Sequence, residues 1–278
     1  AVSGKRIDEV LRVDPVIKDP LQPKPCDSNS RGLVEFRNVS FRYPNAEENV
    51  LCNISFTAKP GETTAIIGGT GSGKSTLVNL IPRFFDVTEG AVYLDGRDVR
   101  EVTQSDLRDR IGYIPQRGVL FSGTVESNLR YADENATAED LQKAVEIAQA
   151  ADFIAEMDGG MAAPISQGGS NVAGGQKQRL SIARALMKHP PVYIFDDALS
   201  ALDFKTDAAL RRALNRSTDR STMLIVTQRV STVRHAEQII VLEDGEMVGK
   251  GNHEELMKTC ETYREMVASQ LTSEEVLR

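Results

Sequence analysis

Residues 68 to 76 read Gly68-Gly69-Thr70-Gly71-Ser72-Gly73-Lys74-Ser75-Thr76, directly after the apolar run Thr64-Ala65-Ile66-Ile67. Gly68, Gly73, Lys74 and Ser75 fill the fixed positions of the pattern G-x-x-x-x-G-K-[ST]. No other segment constrains the fold as strongly, because this loop works between a strand that ends at it and a helix that begins from it. The glycines let backbone N–H groups curl around a polyphosphate. Lys74 reaches the terminal phosphates, and the Ser75 hydroxyl is offered to Mg2+. Gly69, Thr70, Gly71, Ser72 and Thr76 complete the expected phosphate cradle.

The chain of 278 residues is long enough for one large domain or two small ones. Its 40% hydrophobic and 26% charged residues are those of an ordinary soluble globular protein. A net charge of -7, a pI near 5.2 and no basic stripe argue against nucleic acid as a partner. Cys26, Cys52 and Cys260 are scattered and odd in number, which suits free thiols in a reducing compartment. Cys26, in a polar Pro-rich stretch, is expected to be exposed. No apolar run reaches the roughly 18 residues of a membrane span, and the first residues lack the apolar core of a secretory signal. The start without Met is expected to mark a piece of a longer chain or a processed product.

Residues 3 to 12 are expected to be the end of a helix, with Ile7, Val10 and Leu11 at helical spacing. Pro15, Pro20, Pro23 and Pro25 then mark 13 to 32 as a linker. Strands are expected over 33–43, 51–58, 63–67 and 91–94, a β-rich region. The middle of the chain is expected to be helical. Thr137 and Asp140 form an N-cap pair there, and Leu141, Ala144, Val145 and Ala148 make one apolar face. Residues 158 to 175 are loop-like, and a helix runs from about 175 to 188. The short apolar runs 192–195, 223–226 and 239–242 alternate with helical segments, which predicts a parallel sheet buried on both faces. A turn at Glu243-Asp244-Gly245 leads to a last strand near Met247-Val248, and a helical tail follows from His253.

Val192-Tyr193-Ile194-Phe195-Asp196 is an apolar strand capped by a carboxylate, which beside a phosphate loop can hold the Mg2+ shell. Asn171-Val172-Ala173-Gly174-Gly175-Gln176 opens a helix whose glycine-freed amides can form a second anion site.

The 68–76 loop, the stretch Ala173 to Gln176 and the run Phe195 to Asp203 resemble, in order and spacing, the ATP-binding cassette (ABC) ATPases. The resemblance covers about residues 31 to 270. The segments 119–125 and 5–11 resemble exporters of that family specifically. The resemblance implies an α/β fold: a RecA-like P-loop core with an antiparallel β-subdomain and an inserted helical subdomain over about 105–188. It also implies that residues 1–30 link to a transmembrane domain of the same polypeptide, that 271–278 are a tail, and that the domain works on the cytoplasmic face of a membrane. It further implies ATP and Mg2+ as ligands and a second nucleotide-binding domain as partner. Position by position, Tyr43 matches an adenine-stacking aromatic, flanked by Val50. Gln116 matches a Mg2+-touching glutamine. Ala173, Gly174, Gly175 and Gln176 match the signature that closes on the partner's nucleotide. Asp203 matches the aspartate that communicates between the two sites.

Four positions depart from the family pattern. The residue after the metal-binding Asp196 is usually Glu, which polarises the attacking water; here it is Asp197, one methylene shorter, which withdraws the carboxylate by about 1.5 Å. The usual His after the Leu224-Ile225-Val226-Thr227 strand is Gln228, which can bond a phosphate oxygen but cannot carry the charge. Ala173 replaces the signature Ser, and Gln167 replaces a Glu that exporters usually carry. His189, His235 and His253 fall at none of these positions and are expected in surface or loop roles. Asp197 and Gln228 together resemble the degenerate half of heterodimeric exporters, a pattern of bacterial multidrug exporters and of peptide transporters associated with antigen processing; the loop Val230-Ser231-Thr232-Val233 resembles the bacterial type, and in that reading Lys74, Asp197 and Gln228 form a slowly hydrolysing site. A fully active homodimeric ATPase, a soluble ABC ATPase of DNA repair or translation, and a nucleotide-dependent regulator stand as alternatives.

Overall fold

Alternation along four apolar strands builds the centre of the molecule. The computed structural model describes residues 2–26, 31–218 and 220–276. Parts of the expected linker (1 and 27–30) and tail (277–278) lie outside the described residues. β3 (Thr63–Gly68), β6 (Ile111–Ile114), β9 (Val192–Asp196), β10 (Thr222–Thr227) and β11 (Gln238–Glu243) run parallel, and β12 (Glu246–Gly251) pairs antiparallel with β11. The order is β12-β11-β3-β10-β9-β6. Successive side chains of a strand point to opposite faces. Ile66, Ile194, Leu224, Val226, Ile240 and Leu242 therefore enter one buried cluster, while Ala65, Ile67, Tyr193, Phe195, Ile225, Ile239 and Val241 enter two clusters on the other face. Both faces are covered, which is why these strands read as unbroken apolar runs.

An antiparallel sheet covers the first face. It consists of β1 (Val34–Phe41), β2 (Leu51–Ala58), β4 (Glu89–Leu94) and β5 (Arg97–Asp98), in the order β2-β1-β4-β5. Val34, Phe36, Val39 and Phe41 share a cluster with Ile66 and with Leu77 and Val78 of α2 (Lys74–Asn79). The α/β arrangement with a separate antiparallel sheet is thus as the sequence predicts.

On the opposite face, α4 (Val125–Arg130), α5 (Ala138–Ile147), α6 (Ala151–Glu156), α7 (Gly174–Met187) and α8 (Phe204–Ser217) bury a second cluster. The two-residue strands β7 (Gly123–Thr124) and β8 (Pro164–Ile165) pair beside it. Thr137 caps α5 with Asp140 returning to its backbone N–H, as expected. Within the 105–188 span, expected to be helical, Ile111–Ile114 instead forms β6 of the central sheet, after α3 (Gln104–Asp109). The third cluster joins α9 (Val230–Val233), α10 (His253–Thr259) and α11 (Glu261–Val276) to β3 and β11.

The N-terminal helix α1 (Val2–Leu11) leaves Ile7, Val10 and Leu11 exposed at 60%, 72% and 78%. Among the described residues no helix is long and apolar enough to cross a membrane. Two further expectations need correction. Cys26 is half-buried against the first-face cluster, because the linker runs back over that sheet. His253 is neither a loop nor a free surface residue: it opens α10 half-buried, with Nδ1 2.8 Å from the Tyr263 hydroxyl.

Candidate functional site

In open α/β sheets, ligands bind beyond the carboxyl ends of the parallel strands. The register here sets Ile67 beside Thr227 and Val226 beside Asp196, so β3, β10 and β9 end abreast. The glycine loop leaves β3 at that edge and turns into α2. Gly71 and Gly73 hold φ of 84° and 95°, left-handed values that side chains disfavour. A Cβ at Gly73 would also lie 2.8 Å from Leu51 Cδ2 and 3.1 Å from the Val50 carbonyl oxygen.

Lys74 Nζ donates to the carbonyl oxygens of Gly68 (2.9 Å) and Gly69 (2.6 Å) and, at 3.5 Å, to Ser72 Oγ. The residue is 8% exposed. Burial lowers its pKa, and the charges of Asp197 and Asp196 partly offset this. Its ammonium rests on neutral oxygens, so its charge stays available to an incoming anion.

Ser75 Oγ donates to Asp196 Oδ1 at 2.6 Å. The hydroxyl of Tyr113, on β6, reaches Asp196 Oδ2 at 2.9 Å and Asn79 Oδ1 at 2.8 Å. Burial, then the Asp196 charge, raises the Tyr113 pKa, so the phenol stays protonated and donates. Among the described residues no three His, Cys, Asp or Glu side chains cluster as a metal site. What this edge offers is a hydroxyl and a carboxylate, oxygen donors that suit a hard cation sharing its shell with phosphate and water. Ser75 and Asp196 therefore fit Mg2+ arriving with a nucleotide, with Gln116 nearby as a further oxygen donor.

Asp197 continues from Asp196 with φ of 49° and its N–H on the Val226 carbonyl at 3.0 Å. Gln116 Nε2 donates to Asp197 Oδ2 at 3.0 Å. Burial raises the Asp197 pKa, against the hydrogen bonds from Ser200 and Gln116. Gln228 Nε2 approaches Thr70 Oγ1 at 3.4 Å. These groups converge on one cleft of about 260 Å3, lined by Val50, Thr70, Gly71, Gly73, Lys74, Ser75, Thr76, Gln116, Asp197, Val226 and Gln228.

Tyr43 stands beside the cleft rather than in its lining. Its hydroxyl is 2.9 Å from Thr76 Oγ1, and its ring meets Phe41 and Phe85 edge-on. Ala173 to Gln176 and Asp203 also lie outside the lining. Ala173 and Gly174 are exposed at the start of α7, where Gln176 Oε1 accepts from the Ala173 N–H at 3.0 Å. Asp203 caps α8, and the Thr206 N–H and hydroxyl hold its carboxyl below the usual range. The residues expected to serve a second site thus form a separate exposed surface of the same chain.

Three positioning contacts escaped the sequence reading. Tyr113 was hidden inside a short strand. Gln178, 1% exposed, clamps the Gln116 segment by donating to the Pro115 carbonyl and accepting from Gly118 N–H. Gln270 does the same at Gln228. A polar residue on an otherwise buried helix stripe is the signal that could have found both glutamines.

An ammonium on loop carbonyls, at the carboxyl edge of a parallel sheet and beside a hydroxyl-carboxylate pair, defines a P-loop nucleotide-binding domain. The chain belongs to the ABC transporter family, whose description matches residues 51–200. It is 47% identical over 276 residues to an uncharacterized ABC transporter ATP-binding protein of Mycobacterium tuberculosis, covering 98% of this chain and 47% of that protein. An ATP-dependent lipid A-core flippase of Photorhabdus laumondii is 42% identical over 238 residues, covering 85% of this chain and 41% of the flippase. Among solved structures, a bacterial Atm1-family ABC exporter with ATP bound matches with a TM-score of 0.91 at 33% identity, over 97% of this chain and 47% of that one. The chain spans about half the length of these relatives.

Proposed function

We propose that this chain is the ATP-binding domain of a heterodimeric ABC exporter, and that its own site binds Mg-ATP and hydrolyses it slowly. The observation that carries the reading is the Lys74 ammonium, bonded to neutral oxygens in a glycine loop that opens on a cleft shared with Asp197 and Gln228. The likeness to an ATP-bound exporter and to a lipid A-core flippase supports the exporter class.

In this reading Lys74 and the loop amides hold the β- and γ-phosphates, Val50 and Tyr43 flank the base, and Ser75, Gln116 and Asp196 hold Mg2+. The metal, when bound, draws charge from the phosphate oxygens. The attacking water's oxygen bonds the γ-phosphorus, the bond to the bridging oxygen breaks, and Asp197 accepts the water's proton. Its carboxylate is set back by about 1.5 Å from where a glutamate would reach, and one oxygen already accepts from Gln116. A general base misplaced by about 1 Å loses on the order of a hundredfold in rate. Gln228 bonds the γ-phosphate without a charge. The start of α7 from Ala173 to Gln176 closes on the partner's nucleotide, Asp203 relays between the sites, and a transmembrane domain of the same polypeptide receives the closure.

Steady-state hydrolysis by this chain tests the reading. Tight Mg-ATP binding with turnover far below that of an intact exporter is expected; turnover matching an intact exporter contradicts the degenerate site.

A further inference from the structure

Gln270 lies on a stripe of the C-terminal helix that faces the third cluster. Tyr263, Met266, Val267 and Gln270 follow the i, i+3, i+4, i+7 spacing of one helix face. Tyr263 and Val267, at 0% and 8% exposure, pack with Val230, Val233 and Ile239. The one polar member of the stripe meets two backbone groups. Gln270 Nε2 donates to the Gln228 carbonyl at 2.6 Å, and Gln270 Oε1 accepts from the Val230 N–H at 2.8 Å. The amide therefore pairs with the chain on either side of Arg229 as a neighbouring strand would. Val230 opens α9, whose N-cap Arg229 supplies no side-chain cap, so Gln270 takes the place of one.

The opposite side of this segment is also held. Arg229 donates to the carbonyl oxygens of Ser200 (2.8 Å) and Leu202 (3.2 Å), which follow Asp197 in sequence. Among the described residues the Gln228 side chain, in contrast, makes only the long 3.4 Å approach to Thr70 Oγ1. A contact of that length fixes an amide weakly. Its place over the phosphate loop is set by its backbone, which Gln270 holds on one side and Arg229 on the other.

We propose that Gln270 is a positioning residue that holds the Gln228 amide over the phosphate loop. Docking of the C-terminal helix is thereby tied to recognition of the γ-phosphate. The inference rests on the reading of the Lys74 loop as an ATP site.

The test compares Gln270→Ala, Gln270→Glu, Gln228→Ala and the Gln270→Ala/Gln228→Ala pair in this chain, by equilibrium affinity for Mg-ATP and Mg-ADP and by amide exchange at Val230. Gln270→Ala should lower the ATP-over-ADP preference about three- to tenfold, leave ADP affinity unchanged and speed Val230 exchange. Gln228→Ala should lower the preference similarly, and the pair should fall no further than Gln228→Ala alone. Gln270→Glu keeps the acceptor but sets an oxygen against the Gln228 carbonyl; it should retain Val230 protection and still lose ATP preference. An unchanged preference in Gln270→Ala, unchanged Val230 exchange, or independent losses in the pair would overturn the proposal. If Gln228→Ala leaves the preference intact while Lys74→Ala abolishes ATP binding, the coupling fails and the ATP site stands. If Lys74→Ala leaves ATP binding untouched, the ATP reading falls and takes the γ-phosphate part of this inference with it.

Discussion

The side-chain amide of Gln116 donates to Oδ2 of Asp197 across 3.0 Å. The loops that follow the neighbouring strands β6 and β9 thus meet at the cleft, and the shorter acid has one carboxylate oxygen tied to Gln116. Gln178 holds the Gln116 loop from α7, which carries Ala173 to Gln176 at its start. The surface read as serving a partner is therefore one buried side chain away from the group that steers Asp197.

Lys74→Ala is expected to lower ATP affinity by roughly ten- to a hundredfold, the weight of hydrogen bonds to a charged group. Thermal stability without nucleotide should hold or rise, since a buried ammonium that burial already disfavours is removed. Equilibrium binding of a fluorescent ATP analogue, with a melt of the same sample, checks both.

Tyr113→Phe removes the hydroxyl that Asp196 and Asn79 share. Leaving a partly buried acceptor unpaired costs about 1–3 kcal/mol. We expect a lower denaturation midpoint and a higher Mg2+ requirement for ATP binding. A variant indistinguishable from the parent in both would remove Tyr113 from the site.

Burial holds the His253 imidazole below its ordinary 6.5, with Arg234 adding to the effect. The unfolded chain then takes up the proton first, so the folded state loses stability as pH falls through 6.5 toward the lower folded value. His253→Gln, compared with the parent by denaturant titration between about pH 7.5 and 5.5, should show a flatter decline. Equal slopes would remove His253 as the cause.

The loop, the parallel strands and Asp196 were legible because their signals are local. A fixed glycine-lysine spacing and unbroken apolar runs such as Val192 to Phe195 need no knowledge of neighbours. β6 was not legible: Ile111-Gly112-Tyr113-Ile114 is four residues long and carries a Gly and a Tyr, and it becomes a strand only by pairing with β9. The Gln270 and Gln178 clamps were hidden for a related reason. Each joins side chain to backbone across 42 and 63 residues of sequence. Cys26 misled because a polar Pro-rich stretch reads as solvent-exposed, whereas Lys24 in that stretch pairs with Glu101 at 2.7 Å and draws it onto the sheet. The assignments of Asp197 and Gln228 came from comparison with a family pattern, and their weight lies in chemistry that geometry alone leaves to be measured.

ATP turnover at the Lys74 site, in a dimer of this chain with its matched partner, tests that weight most directly. Asp197→Glu combined with Gln228→His lengthens the acid and restores a chargeable ring. The account predicts that this pair of substitutions raises turnover by on the order of ten- to a hundredfold, with ATP affinity little changed. Turnover that stays at the parent's level, with nucleotide still bound, would contradict it.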